Sequence, residues 1–231
     1  MLLDKKNVLV LDGGDGIGGA IVALFRAEGA RVSSTVLPDT DVASAFEQAH
    51  TAMGGVDILV NAISDWSPCK PEDWSVGRWR ELSELNGAVA VSAGHIALKR
   101  LRRPGAVCFV SSTWAMATSP EMGLAGASKA AVGPLTKALG LFGAANGLRA
   151  NAVVMGLIDT PALRAAMEQR GQLTERQAGS STLFDETAGR VPMRRAGTAD
   201  EVAKAAAFLC SDHARMINGA SVLVDGGLLY A

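Results

Sequence analysis

A glycine-rich turn near the amino terminus is the feature whose composition points most directly to chemistry. The apolar run at residues 7–11 leads into Asp12-Gly13-Gly14-Asp15-Gly16-Ile17-Gly18, and a helix-forming stretch follows. Glycines in such a turn let backbone N–H groups approach the pyrophosphate of a dinucleotide at the start of a helix. A tight strand-to-helix turn that binds nothing would use the same residues, so both interpretations stay open at this point.

The elements that must hold this turn alternate along the chain. Six short runs rich in apolar residues are predicted to be strands covered on both faces, at residues 7–11, 31–36, 57–61, 106–111, 151–154 and 221–224. Runs with helical spacing separate them, at residues 18–28, 42–53, 79–102, 125–145, 161–169 and 199–211. This alternation predicts one Rossmann-like α/β domain over residues 1–231, with a doubly wound parallel sheet and helices on both faces.

Two patterns mark helix starts, and one segment departs from the alternation. Thr160 followed by Pro161 is typical of an N-cap and first helical residue, and Thr198 with Glu201 predicts a capping box. Residues 162–195 are polar, contain several glycines and are predicted to be irregular. A segment of that length outside the β/α alternation is usually a lid or a binding loop, so we expect it to cover a substrate.

The composition limits the classes of partner. Lys and Arg number 22 and Asp and Glu 23, a net charge of −1, so we expect no binding to nucleic acid or to an anionic membrane. No apolar run approaches the roughly 18 residues that a membrane span needs, and no signal peptide is recognised, which predicts a cytoplasmic protein.

The three cysteines are widely spaced without metal-ligand spacing, so no metal site is expected, and Cys108 and Cys210 are expected to be buried thiols.

Further motifs occur in order along the rest of the chain. They are Asp57-Ile58-Leu59-Val60-Asn61-Ala62, then Asn86, Val110-Ser111-Ser112, Ser128-Lys129, the turn containing Gly156, Ile158 and Thr160, and Val224-Asp225-Gly226-Gly227. Together with Gly16-Ile17-Gly18, these motifs resemble those of the short-chain dehydrogenase/reductase family nearly from end to end. The resemblance implies an oxidoreductase that acts on a hydroxyl or carbonyl group of a small organic molecule with a nicotinamide cofactor.

The resemblance also implies roles for particular residues. In this family a Ser polarises the substrate oxygen, a Lys holds the nicotinamide ribose and an Asn organises a water relay, so Ser112, Lys129 and Asn86 are expected in these roles. The residues expected at the cofactor by position are Gly13, Gly16, Ile17, Gly18, Asn61, Ala62, Lys129, Gly156, Ile158 and Thr160. A homo-oligomer is implied as well, a tetramer being expected, built through the helices at residues 79–102 and 125–145.

The position of the family's catalytic Tyr is the main departure. It lies four residues before the Lys, at Ala125, and the only tyrosine of the chain is Tyr230. Losing a positioned proton donor typically costs about 10²–10⁴-fold in rate. His95 faces the opposite side of its helix from Asn86 and is excluded as a substitute. We expect Ala125 to leave a space about the size of a phenol ring, and a non-redox enzyme or a catalytically silent ligand-binding protein stays open as the alternative.

Cofactor choice depends on the first half of the chain. The family's first loop Gly falls on Asp12, and the second predicted strand ends without the acid that NAD enzymes place there. Because Asp12 and Asp15 would repel a 2′-phosphate, NAD is favoured over NADP, with weak or lost dinucleotide binding as the alternative. Only 20 residues separate Val36 from Asp57, so an outer strand and a helix of the family are expected to be missing, leaving six strands.

Overall fold

The computed structural model describes residues 1–12, 14–36, 41–173 and 183–231. The strands are β1 (Asn7–Leu11), β2 (Arg31–Thr35), β3 (Ile58–Asn61), β4 (Gly105–Ser112), β5 (Leu148–Met155), β6 (Ile158–Asp159), β7 (Gly197–Thr198) and β8 (Ser221–Val224). Six of these form a parallel sheet in the order β2-β1-β3-β4-β5-β8, while β6 and β7 pair with each other. The six-stranded parallel sheet that the sequence predicts is confirmed for the described residues.

Helices cover both faces of this sheet, as the continuous apolar character of its central strands requires. They are α1 (Ile17–Ala27), α2 (Val42–Met53), α3 (Val76–Ser83), α4 (Val89–Arg100), α5 (Gly123–Ala130), α6 (Val132–Gly143), α7 (Pro161–Leu173), α8 (Leu183–Arg190) and α9 (Ala199–Cys210). Val8 and Val10 of β1 belong to the core formed with α1 and α9, whereas Leu9 and Leu11 belong to the core formed with α2, α4 and α6. Each face of the sheet therefore has its own apolar core.

The sheet ends at β2, as the short spacing before β3 predicts. The residues described between β2 and β3 form α2, whose start is fixed by the Asp41 carboxylate accepting from the N–H groups of Ala43 and Ser44. β1 pairs directly with both β2 and β3, and Ala62 N–H extends the second pairing by donating to Leu11 O. β2 is consequently an edge strand and is half-exposed.

Two predicted long helices are divided in the structure. The stretch predicted as one helix at residues 79–102 consists of α3, a π-helical turn at Glu84–Ala88, and α4. The stretch predicted at residues 125–145 consists of α5 and α6, because Pro134 has no N–H to donate to the preceding turn and helical hydrogen bonding is interrupted there. The π-helical turn contains Asn86, and such turns are frequent at functional sites.

The described residues of the segment 162–195 differ from the irregular structure predicted for it, and residues 174–182 lie outside the described residues. The described parts of this segment form most of α7 and all of α8, because Met167 and Phe184 join Leu157 and Val191 in a small apolar cluster. Thr160 Oγ1 accepts from Leu163 N–H at 3.2 Å, as its predicted N-cap role requires. The capping box of Thr198 and Glu201 is also confirmed.

Candidate active site

A cleft of about 480 Å³ opens at the carboxyl ends of β1, β3, β4 and β5, and α7 forms its outer wall. Ligands of open α/β sheets bind at this edge. The cleft is lined by Asp12, Asp15, Gly16, Ile17, Gly18, Ala62, Ser64, Asp65, Trp66, Ser67, Leu85, Ser112, Trp114, Met155, Gly156, Ile158, Thr160, Ala162, Leu163, Ala165, Ala166 and Gln169. Eight of these residues are predicted site residues. Ser112 is the predicted substrate-binding serine, and the predicted cofactor contacts are Gly16, Ile17, Gly18, Ala62, Gly156, Ile158 and Thr160.

The glycine-rich turn brings the amino terminus of α1 to the cleft. Gly16 caps the helix with a φ of 73°, a conformation that favours glycine, and no side chain caps the first turn. A Cβ on Gly19 would lie 2.1 Å from the carbonyl oxygen of Gly14, so only glycine lets the turn fold back this tightly. The uncapped N–H groups fit the pyrophosphate of a dinucleotide. The predicted contact Gly13 lies outside the described residues.

Asp12 introduces a carboxylate where the family has a glycine. Its φ of 65° lies in the left-handed region, which an aspartate adopts at some cost, and its N–H donates to Thr35 O at 2.8 Å. Burial raises the pKa of this carboxyl group, and the charge of Lys129 acts in the opposite direction. Asp12 and Asp15 therefore make the cofactor end of the cleft acidic.

Ser112 is the last residue of β4 and lies where the resemblance predicts a substrate-binding hydroxyl. Its Oγ accepts from Trp114 N–H at 3.2 Å, which caps the short turn Thr113–Ala115. The side chain is almost buried but lines the cleft. Because the hydroxyl accepts in this contact, its own hydrogen is available to a substrate oxygen.

Asn86 lies behind the cleft wall and is fully buried. Its side-chain amide donates to Asp65 O and to Ser128 Oγ, and accepts from Asp65 N–H, each at 2.9 Å. These bonds fix the loop after β3 against α5. The arrangement positions the loop that carries Asp65 and Trp66, while the water relay expected from the family stays a prediction.

Lys129 is buried beneath the same loop. It is 1% exposed, and its ammonium group donates to the carbonyl oxygen of Ile63. Burial lowers the pKa of Lys129 to about 7, although the Asp12 carboxylate favours the protonated form. Asn61 is also buried there, with Oδ1 accepting from Ile63 N–H at 3.1 Å. Both side chains thus support the floor of the cleft from below.

Ala125 does not leave the space that the missing tyrosine predicts, and this expectation is wrong. Only 1% of Ala125 is exposed, because it packs in an apolar cluster with Leu82 and Met122. Trp66 and Trp114 pack against the cluster, with ring centroids 5.6 Å apart. The two indoles line the cleft and occupy the region between it and this cluster.

The sequence analysis did not identify Asp65 as a residue of the cleft, whereas the structure agrees with its exclusion of His95. Asp65 was not singled out, although its place directly after a buried strand at the carboxyl edge of the sheet was a usable signal. His95 is exposed on α4, which agrees with its exclusion from the site. Cys108 and Cys210 are buried, as predicted.

Comparison with known proteins agrees with this architecture. Residues 36–229 match the family model described as enoyl-(acyl carrier protein) reductase. The chain is 28% identical to 3beta-hydroxysteroid dehydrogenase 1 of Eggerthella lenta over 98% of this chain and 94% of that protein. It is 31% identical to cis-4-hydroxycyclohexanecarboxylate dehydrogenase of Sinomonas cyclohexanicum, over 98% and 88% of the two chains. Aldohexose dehydrogenase of Thermoplasma acidophilum superposes with a TM-score of 0.86 and 30% identity, over 98% of this chain and 94% of that one.

The fold and these similarities therefore define a nicotinamide-dependent oxidoreductase of small molecules. The chain belongs to the short-chain dehydrogenase/reductase family. Within the described residues, no helix has the length and apolar character needed to cross a membrane.

Proposed function

We propose that this protein binds NAD in preference to NADP and transfers hydride slowly between the nicotinamide and a hydroxyl or carbonyl group. One observation carries the proposal: Ser112, the uncapped start of α1 and the loop bonded to Lys129 converge on one cleft at the carboxyl edge of the sheet. The nicotinamide cofactor supplies the hydride acceptor or donor. The chain supplies the position of the substrate oxygen and the cradle for the dinucleotide.

The residues of the chain divide this work between the two ends of the cleft. N–H groups at Gly16, Ile17 and Gly18 would hold the pyrophosphate, and Thr160 would flank it. Lys129 supports the loop after β3 from below, and the role at the nicotinamide ribose that the family resemblance implies would be exerted through that loop. Ser112 Oγ–H would donate to the substrate oxygen and polarise the carbonyl carbon toward hydride.

No tyrosine is positioned to donate a proton to the substrate oxygen or to accept one from it. Ala125 offers no exchangeable proton, and the packed indoles of Trp66 and Trp114 cover its cluster. Hydride transfer would then depend on orientation and on polarisation by Ser112, and the alkoxide formed would take its proton from water. We expect rates about 10²–10⁴-fold below those of an enzyme with a positioned acid.

The preference for NAD is supported by charge. Asp12 and Asp15 line the cofactor end of the cleft, and β2 ends at Thr35 without a basic residue there. The additional phosphate of NADP would add charge of the same sign as these carboxylates.

We also propose that residues 162–195 act as a lid over the cleft, since α7 forms its outer wall. Residues 174–182 of this segment lie outside the described residues. We further propose that the chain assembles as a tetramer.

A titration followed by a turnover assay tests the proposal. Protein fluorescence should report saturable NADH binding that is tighter than NADPH binding, and a carbonyl panel should show slow NADH oxidation. Ser112→Ala should retain NADH binding and lose turnover, whereas Ser119→Ala, a serine outside the described lining of the cleft, should retain both. Absence of NADH binding would contradict the proposal.

A second candidate is a ligand-binding protein without hydride transfer, favoured by the close packing around Ala125. It predicts NADH or substrate binding with no turnover at any enzyme concentration. The same assay therefore separates the two functions.

A further inference from the structure

The charge of the cleft is one-sided. The titratable residues of its described lining are Asp12, Asp15 and Asp65, and that lining contains no Lys, Arg or His. Asp12 and Asp15 lie at the glycine-rich turn, where the cofactor is expected. Asp65 lies on the loop between β3 and α3 that also carries Trp66, so it is the carboxylate associated with the substrate end.

Asp65 is only partly compensated by a neighbouring cation. Its Oδ2 lies 3.6 Å from an Nη atom of Arg78, while the other Nη atom of Arg78 lies 2.9 Å from Glu81 Oε2. The guanidinium of Arg78 is therefore shared by two carboxylates and lies closer to that of Glu81. Asp65, Arg78 and Glu81 together carry a net negative charge, and Asp65 is the one of the three that lines the cleft.

Two further cations that the structure describes near the substrate end are already engaged. Arg170 lines a small adjoining cavity next to Ser112, and its Nε lies 3.4 Å from Glu121 Oε2. Lys129 lies below the loop and donates to Ile63 O. Neither side chain is part of the described lining of the cleft itself.

The uncharged part of the substrate end is aromatic and apolar. Trp66 and Trp114 form a tilted pair, and Leu85, Met155 and Leu163 complete the surface around Ser112. Indole faces attract cations through their quadrupole and also accept apolar rings. A carboxylate or phosphate would gain no ion pair from the described lining and would face Asp65.

We infer that the substrate is a cationic alcohol or ketone, in which a protonated or quaternary amine lies near Asp65 and the tryptophan pair while the reacting oxygen contacts Ser112. This inference rests on the proposed function, because it names the substrate class of the same cleft. It places carboxylates, phosphates and acyl thioesters of coenzyme A among the poor ligands.

Three cyclohexanones that differ only in the substituent at carbon 4 test the charge preference directly. 4-(Trimethylammonio)cyclohexanone and 4-tert-butylcyclohexanone have nearly the same shape and differ in charge, and 4-oxocyclohexanecarboxylate supplies the anion. Calorimetric dissociation constants, measured on the protein with and without NADH, should rank the cation first, the neutral ketone second and the anion last. We expect about tenfold or more between the cation and its neutral isostere.

Two variants should move this ratio in opposite directions. Asp65→Asn keeps an oxygen that can accept from Ser67 N–H and Oγ–H, contacts that Asp65 Oδ1 makes at 2.8 and 2.6 Å, and should bring the cation and the neutral ketone to equal affinity. Arg78→Gln exposes Asp65 and should increase the preference for the cation. Asp73→Asn, an equal charge change at an exposed position outside the cleft lining, should change nothing.

The outcomes separate this inference from the proposed function. Equal affinity for the cation and the neutral ketone, tighter binding of the anion, or an unchanged ratio in both Asp65→Asn and Arg78→Gln would overturn the inference while NADH binding and turnover stand. If NADH does not bind but the charge ranking and both variant effects hold, the proposed hydride transfer fails and the cationic ligand class remains.

Discussion

The carboxylate of Asp12 and the ammonium group of Lys129 attract each other at the base of the cleft, while burial disfavours the charged form of each. Lys129 favours the ionised form of Asp12, and Asp12 favours the protonated form of Lys129. The cost of burial is the larger effect at both residues, so the pKa of Asp12 is raised and the pKa of Lys129 is lowered to about 7. The charge at the cofactor end of the site therefore depends on pH in the neutral range.

The first prediction is that NAD binds more tightly as the pH falls from 9 to 6. Lys129 gains a positive charge as the pH falls through about 7, and Asp12 begins to lose its negative charge at a higher pH than an ordinary aspartate. Both changes make the site less negative, and the dinucleotide is an anion. Calorimetry should show affinity several-fold higher at pH 6 than at pH 9, and Lys129→Met should remove most of that change. Tighter binding at pH 9 would contradict this prediction.

The second prediction concerns stability. Between pH 7 and the ordinary lysine pKa of 10.5, the unfolded chain holds a proton on Lys129 that the folded chain does not, so this residue makes stability rise with pH over that interval. Lys129→Met removes the cost of burying the charge. The variant should exceed the wild type by about 1 kcal/mol or more in urea unfolding at pH 6.5, and by less at pH 9.5. Lys99→Met, at an exposed lysine on α4, should show neither the gain in stability nor its dependence on pH. A larger gain for Lys129→Met at pH 9.5 than at pH 6.5 would refute the argument.

The third prediction is that restoring tyrosine alone fails. Ala125 is enclosed by Leu82 and Met122, with Trp66 and Trp114 packed against the cluster, so Ala125→Tyr overpacks it and should lower the free energy of unfolding by about 1–3 kcal/mol. Turnover should not rise. Adding Trp66→Ala should recover part of the stability, which a double-mutant cycle measures as favourable coupling. Full stability of Ala125→Tyr together with faster turnover would show that the indoles leave room for the phenol.

The fourth prediction is assembly into a tetramer through α4 and α6. Val91, Leu141 and Phe142 are exposed large apolar residues on these helices, Leu141 and Phe142 by 82% and 74%. Exposed apolar groups of this kind mark interaction surfaces. Light scattering should give the mass of four chains, and Phe142→Glu should reduce it. Met216→Glu, at an apolar residue outside these helices, is the matched control, and a wild-type monomer at micromolar concentration would exclude the assembly.

Much of the fold could be predicted because its determinants are local. β1 and β8 have the predicted bounds, since continuous apolar runs end at turn residues. α2 has its predicted bounds because Asp41 caps its start and Gly54, with a φ of 74°, ends it. The division of residues 79–102 was missed because a π-helical turn inserts one residue without a sequence signal strong enough to outweigh helical periodicity.

The site was less predictable because its determinants are contacts between distant segments. Asn86 holds Asp65 across 21 positions, and Lys129 reaches Ile63 across 66. The tryptophans that pack around Ala125 come from two different loops, so the substitution of Tyr by Ala could not by itself show whether the space is empty. Residues placed by the strand ends, such as Ser112 and Gly156, were predicted because the sheet fixes where they lie.

The central claim is that this cleft transfers hydride without a tyrosine. Its most direct test is a single-turnover reaction of excess protein with NADH carrying deuterium on the transferring face, using 4-(trimethylammonio)cyclohexanone and 4-tert-butylcyclohexanone, with mass spectrometry of the alcohol formed. The account predicts slow transfer of deuterium to the carbinol carbon of at least one ketone, with loss of the reaction in Ser112→Ala. Bound NADH that delivers no deuterium to either ketone at any pH between 6 and 9 would contradict it.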